Sequence, residues 1–188
     1  MPFEKPRELT DPKAMRALAH PVRLALLEAL ADAGTLTATE AGERVGESPA
    51  NASFHLRQLA KYGFVEEAER GTGRRRPWKL RHLGMRWTDV SDDAEAAAAA
   101  RGLSRVVQAR YFERAQRSLE EGYSLPPEWR AATGVNQMRL YLTAAELKDL
   151  NDEFVKLLLE RYPDRRTPSP EQPPDAQRVE ILTVAYRQ

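Results

Sequence analysis

Residues 48–80 read SPANASFHLRQLAKYGFVEEAERGTGRRRPWKL, and the order of elements in this stretch decides the fold. Ser48 is a good helix N-cap, and Pro49 suits the first helical position, where its missing N–H is not needed. Phe54, Leu56, Leu59 and Tyr62 supply apolar anchors, and Gly63 stops the helix. FVEEAER then reads as a strand and RRPWKLR as its return, with Gly71 and Gly73 permitting the tight reversal between them.

Upstream, the first ten residues look loose. DPKAMRALA reads as a helix with Asp11 as N-cap and Pro12 at the first position. HPVRLALLEALADAG is a second helix, started at Pro21, with Leu24, Leu27 and Leu30 on its apolar face and Gly34 at its end. TATEAGERVG is a third, short helix in which Thr37 and Glu40 form a capping box. The order is therefore three helices, a turn, the helix after Ser48, and a hairpin. Two short helices joined by a tight turn and followed by a glycine-tipped hairpin describe a winged helix-turn-helix.

Downstream, Ser91 to Glu121 is a long helix candidate that begins with the alanine-rich run SDDAEAAAAA. So little core-forming mass favours packing on another helix, from this chain or a second subunit. Thr143 and Glu146 form another capping box, which opens the amphipathic helix AAELKDLNDEFVKLLLERY. Residues 163–177, rich in proline and charge, are expected to be a mobile loop. QMRLYL and RVEILTVAYR read as strands that would pair with each other. The expected class is mainly α with small β. A winged helix-turn-helix domain over 10–84 is followed by a helical C-terminal region over 90–188, which contains the candidate two-stranded β element.

The 188 residues suit one domain or two small ones. No apolar run is long enough to read as a membrane-spanning helix, so no membrane is expected as a partner. MPFEKPRELTD has no apolar core and does not read as a secretory signal. The absence of cysteine excludes disulfides, thiolate metal sites and cysteine nucleophiles, and fits a cytoplasmic location. No GxGxxG follows a strand, and GKS and HExxH do not occur, so no enzyme and no cofactor are expected. Net charge is only +1, yet residues 45–82 hold eight Lys or Arg against four Asp or Glu. That local surplus lies where a polyanion could be met.

In such a domain the second helix of the pair would enter the major groove. Ser48, Asn51, Ser53, His55, Arg57 and Gln58 are its candidate readers. Asn and Gln can read adenine edges, Arg can read guanine, and Ser can bind base or phosphate. Arg70, Thr72, Arg74, Arg75 and Arg76 lie around the hairpin turn, where guanidiniums suit phosphates or a narrow minor groove. Each feature alone has a plainer reading as a solvated face, and winged helices also serve as protein-binding modules. Their co-occurrence, in the order that a groove-reading unit needs, favours double-stranded DNA. The competing expectation is a protein–protein interaction module without sequence-specific DNA binding.

Residues 11–82 resemble the arsenic-repressor-type (ArsR) winged-helix transcriptional regulators. Leu18, Pro21, Arg23, Leu26, Leu27 and Leu30 match the family's opening pattern L-x-x-P-x-R-x-x-I/L-L-x-x-L. Ser48, Ser53, His55, Leu56 and Leu59 match its recognition helix, and Gly63, Phe64 and Val65 match the segment before its wing. The resemblance implies a homodimer that binds a palindromic operator, usually as a repressor of transcription. The chain departs from many members in lacking their metal-sensing cysteines, and His20, His55 and His82 do not have metal-ligand spacing. His20 is expected to cap a helix. His55 could be buried against the helix pair or contact a phosphate. No metal is expected, and any switch should lie downstream of Gly84. Trp87, Tyr111, Phe112, Trp129 and Tyr141 there could line a pocket for a small organic effector or serve in core and dimer-interface packing.

Overall fold

In the computed structural model, described over residues 6–68, 76–82, 84–163, 165, 169 and 171–187, the elements run β1 (Arg7–Glu8), α1 (Pro12–Leu18), α2 (Pro21–Ala33), β2 (Thr35–Leu36), α3 (Ala38–Val45), α4 (Pro49–Lys61), β3 (Val65–Glu67), β4 (Trp78–Leu80), β5 (Met85–Arg86), α5 (Ala94–Glu121), α6 (Pro127–Ala132) and α7 (Ala144–Arg161). Local capping chemistry sets most of the helix starts. The Asp11 carboxylate accepts from the Lys13 N–H at 2.9 Å. In α3, the Glu40 N–H donates to the Thr37 hydroxyl at 3.3 Å and the Thr37 N–H donates to the Glu40 carboxylate at 2.8 Å. The Ser48 hydroxyl accepts from the Asn51 N–H at 3.2 Å. These bonds satisfy amide donors that a helix start leaves without intrahelical partners.

The chain divides into two units, 1–112 and 113–188, and the division falls within α5. In the first unit Leu18, Leu26, Leu30, Leu56, Leu59 and Leu103 are fully buried, drawn from α1, α2, α4 and α5. The alanine-rich start of α5 packs on this core through Ala99, Ala100, Leu103 and Val107. Small side chains let its backbone come close, which gives the alanine run a place within its own chain. A bidentate ion pair, Arg110 to Glu28 at 2.6 and 2.9 Å, ties α5 to α2.

The antiparallel sheet has the order β2-β4-β3. Leu36 pairs with Trp78, and Val65 with Leu80. On the other face Glu66 holds Lys79 at 3.3 Å and Arg81 at 3.2 Å, a cross-strand charge cluster. The helices and this sheet make a winged helix-turn-helix, with α4 as the second helix of the pair and the β3–β4 hairpin as the wing. The hairpin turn at 69–75, including Gly71 and Gly73, lies outside the described residues. β2 is not among the elements expected from the sequence. Of the first ten residues, expected to be loose, 1–5 lie outside the described residues, while Arg7–Glu8 pairs in parallel with Met85–Arg86 and Leu9 is buried.

In the second unit the expected capping box opens α7, with Thr143 and Glu146 bonded reciprocally. Arg114 holds Glu180 at 2.6 Å. No described residue of this unit is buried. The expected pairing of QMRLYL with RVEILTVAYR does not form: among the described residues, strands are confined to the two sheets of the first unit. Met138, Leu140, Val179 and Ile181 remain exposed. A two-stranded ladder without a covering layer is marginal in water, which accounts for the difference. Part of the proline-rich segment, expected to be mobile over 163–177, lies outside the described residues.

Candidate nucleic-acid interface

The α4 helix separates into two faces. Ala52, His55, Leu56 and Leu59 point inward and are buried. Their spacing of three and four residues is that of one helical stripe. Ser48, Ala50, Phe54, Arg57 and Lys61 are exposed, with Ser53 and Gln58 half-buried beside them.

The expected readers divide accordingly. Ser53 and Arg57 meet on the outer face, where the guanidinium donates to the Ser53 hydroxyl at 2.8 Å. Ser48 is exposed and its hydroxyl already accepts the capping bond. Its proton has no acceptor among the described residues and can donate. The Asn51 side-chain amide donates to Glu47, one turn back, so its amide group is engaged in the free protein. His55 is only 6% exposed. Of the wing residues, Arg76 is exposed and sits 3.3 Å from Glu67. Arg70, Thr72, Arg74 and Arg75 lie outside the described residues.

Two features of the site differ from expectation. Phe54, expected as a core anchor, is 50% exposed and stands on the outer face. Its position about 200° around the helix from both Ala52 and Leu56 carried that information. The second feature is a pair of imidazoles. His20 occupies the N-cap of α2 but makes no side-chain capping bond. Its ring lies 4.6 Å from that of His55. Among the described residues, the buried Nδ1 atoms of both rings have no hydrogen-bond partner, nor does the Nε of Arg23. Tertiary contact with α4 has therefore displaced the expected cap.

Burial, then the Arg23 charge, holds His20 below the usual imidazole pKa of 6.5, against the opposite pull of Glu47. For His55 the causes are burial, then His20, then Arg23, with Glu47 again opposing. The folded state thus prefers both rings neutral, while the unfolded chain takes up protons near its ordinary pKa. Stability should be flat above about pH 7 and should fall as pH drops below about 6.5 towards the lowered folded values, by at most about 1.4 kcal/mol per pH unit for each ring. Urea unfolding midpoints at a series of pH values check this. A profile that stays level through that range would show that the pair is not held neutral.

Among the expected aromatic residues, Trp87 and Tyr111 pack against the core of the first unit. The Trp87 indole N–H donates to the Ser104 hydroxyl at 2.9 Å. Phe112 is exposed, Trp129 is half-buried in the second unit, and Tyr141 is fully exposed. Among the described residues, no three His, Asp or Glu side chains converge as a metal site. No described helix is long and apolar enough to cross a membrane.

The fold and the outer face of α4 define a winged helix-turn-helix domain that presents its second helix. The sequence pattern of a helix-turn-helix domain family matches residues 18–68, which span α2 through β3. Among solved structures, reduced HlyU from Vibrio cholerae is similar at 22% identity and a TM-score of 0.32, covering 50% of this chain and 84% of that one. The homodimeric winged helix-turn-helix DNA-binding domain of Mb0332 from Mycobacterium bovis, a possible ArsR-family transcriptional regulator, is similar at 22% identity and a TM-score of 0.33, covering 66% and 85%. A mutant of ZitR from Lactococcus lactis in its apo form is similar at 16% identity and a TM-score of 0.35, covering 77% and 83%. No curated protein matches the chain.

Proposed function

We propose that this chain is a sequence-specific double-stranded DNA-binding transcriptional regulator that acts as a dimeric repressor on a palindromic operator. The observation that carries the reading is the outer face of α4. Ser53 and Arg57 stand together on a capped helix whose opposite face is locked into the core. A helix anchored on one side and polar on the other can lie in a major groove and offer hydrogen-bonding groups to base edges. The wing adds the run Arg74, Arg75 and Arg76, whose charge suits phosphates beside the groove.

The dimer is supported by the second unit, where Leu150 and Leu157 stand two turns apart on one face of α7 and are both exposed. A second copy of the chain could cover that stripe. Two copies related by a two-fold axis would present two α4 helices to half-sites about 34 Å apart or a multiple of that distance. In this reading 10–84 binds operator, and 90–188 holds the dimer and any site for an organic effector. An effector would act by changing the spacing of the two recognition helices.

Two variants separate the roles. Changing Arg74, Arg75 and Arg76 together to alanine is expected to weaken binding to all duplexes and to lower the salt slope by up to about three, roughly one per lost phosphate contact. Gln58→Ala is expected to relax preference at one base position and leave the salt slope unchanged. Titrations of labelled duplexes over a range of salt concentrations measure both. An interaction module with no DNA role would show no retardation of any duplex at moderate salt.

A further inference from the structure

We infer that Phe54 is a specificity-determining residue of α4, packing its ring on the C5-methyl group of a pyrimidine in the major groove. This rests on the reading of α4 as the groove-reading helix and adds an apolar contact to its polar ones. Three observations carry it. Phe54 is 50% exposed, although the same helix buries Leu56 and Leu59 completely. The ring is held edge-on against buried His55, with centroids 5.3 Å apart and planes at 73°, so it projects from a fixed base. It lies in the N-terminal half of α4, one turn after Ala50 and beside Ser53, in the part of a recognition helix that meets base edges.

The chemistry restricts the partner. A phenyl ring has no hydrogen-bond donor and cannot satisfy the N7, O6, O4 or amino groups that line the major groove. The methyl of thymine is the one apolar group an unmodified base pair presents there. A ring placed against guanine or unmethylated cytosine would cover polar groups without replacing their water, which is unfavourable. Phe54 therefore selects a methylated pyrimidine, thymine or 5-methylcytosine, and Ala50 leaves room on the preceding turn for the base pair to approach. Ser53 and Arg57 flank the ring and can bond the neighbouring bases or phosphates.

The test starts from duplexes selected by the full-length protein from a random pool. Each thymine in the selected duplex is replaced singly by deoxyuridine, which removes only the methyl group, and affinity is measured for the unaltered protein and for Phe54→Ala. One thymine per half-site should matter, with uracil there weakening the unaltered protein about fourfold, the effect of leaving one methyl unburied. Phe54→Ala should bind the thymine and uracil duplexes equally. A parallel series with 5-methylcytosine in place of each cytosine distinguishes the two sources of the group. A gain on methylation that Phe54→Ala loses supports the contact and assigns it to methylated cytosine. Methyl sensitivity at no position, or sensitivity that persists in Phe54→Ala, overturns the inference while leaving DNA binding by α4 intact. Failure to enrich any duplex overturns the reading of α4 itself, and the inference with it.

Discussion

Gly42→Val is expected to cost more than about 3 kcal/mol of folding stability and to abolish the function of the domain with it, an effect at or beyond the upper end for overpacked cores. Gly42 lies inside α3 at its closest approach to the turn and to α4. A Cβ there would meet the Glu47 carbonyl oxygen at 2.7 Å and the Ala52 Cβ at 3.3 Å. The first of these is backbone, fixed by the Glu47 N–H that donates to the Gly42 carbonyl at 2.8 Å. Ala52 is fully buried, so α4 cannot accommodate the added atoms without shifting. Gly42→Ala should be milder. Alanine gains about 1 kcal/mol of helix propensity over glycine, set against about 1–3 kcal/mol of overpacking. Valine adds two methyl groups to the same contact. Against a typical total of about 5–15 kcal/mol, its cost is a large fraction. Urea unfolding followed by circular dichroism measures both variants, and an unchanged midpoint for Gly42→Val would contradict the close approach of the two helices.

Arg57→Glu should leave folding within about 0.5 kcal/mol of the unaltered protein, because the side chain is exposed and, among the described residues, bonded only to Ser53. Its expected effect on DNA binding is at least about a hundredfold weakening. The substitution replaces a donor fork with a carboxylate facing a polyanion, and like charges at an interface cost several kcal/mol. Arg57→Lys should fall between, since it keeps the charge and loses the planar fork. Fluorescence anisotropy on one selected duplex at fixed salt gives the three affinities. Equal affinities would remove α4 from the interface.

What could be read in the sequence is what local chemistry determines. Asp11, Pro12, Pro21, Thr37 with Glu40, Ser48 with Pro49, and Thr143 with Glu146 all start helices as expected, because a cap bonds within a few residues of itself. Gly63 takes φ 70°, the left-handed geometry that ends α4. What was not legible depends on distant partners. The two residues of β2 become a strand only beside Lys79 and Trp78, and those of β1 only beside Met85 and Arg86. His20 follows the common pattern of a polar residue before Pro21, yet its ring turns to His55, far along the chain. Phe54 is a case where the periodicity held the answer and residue type was misleading: aromatic character suggested the core, while its angle around the helix placed it on the opposite face. The alternating apolar residues near 138–142 and 179–186 read as strands by pattern, but pattern alone supplies neither a pairing edge nor a covering layer.

The central claim, that α4 reads the sequence of duplex DNA, is tested most directly by selecting bound duplexes from a random pool with the full-length protein and repeating the selection with Ser53→Ala and Arg57→Ala. One motif with two-fold symmetry is expected to be enriched, with a changed preference at defined positions in each variant. Enrichment of no motif, or of the same motif by all three proteins, would contradict it.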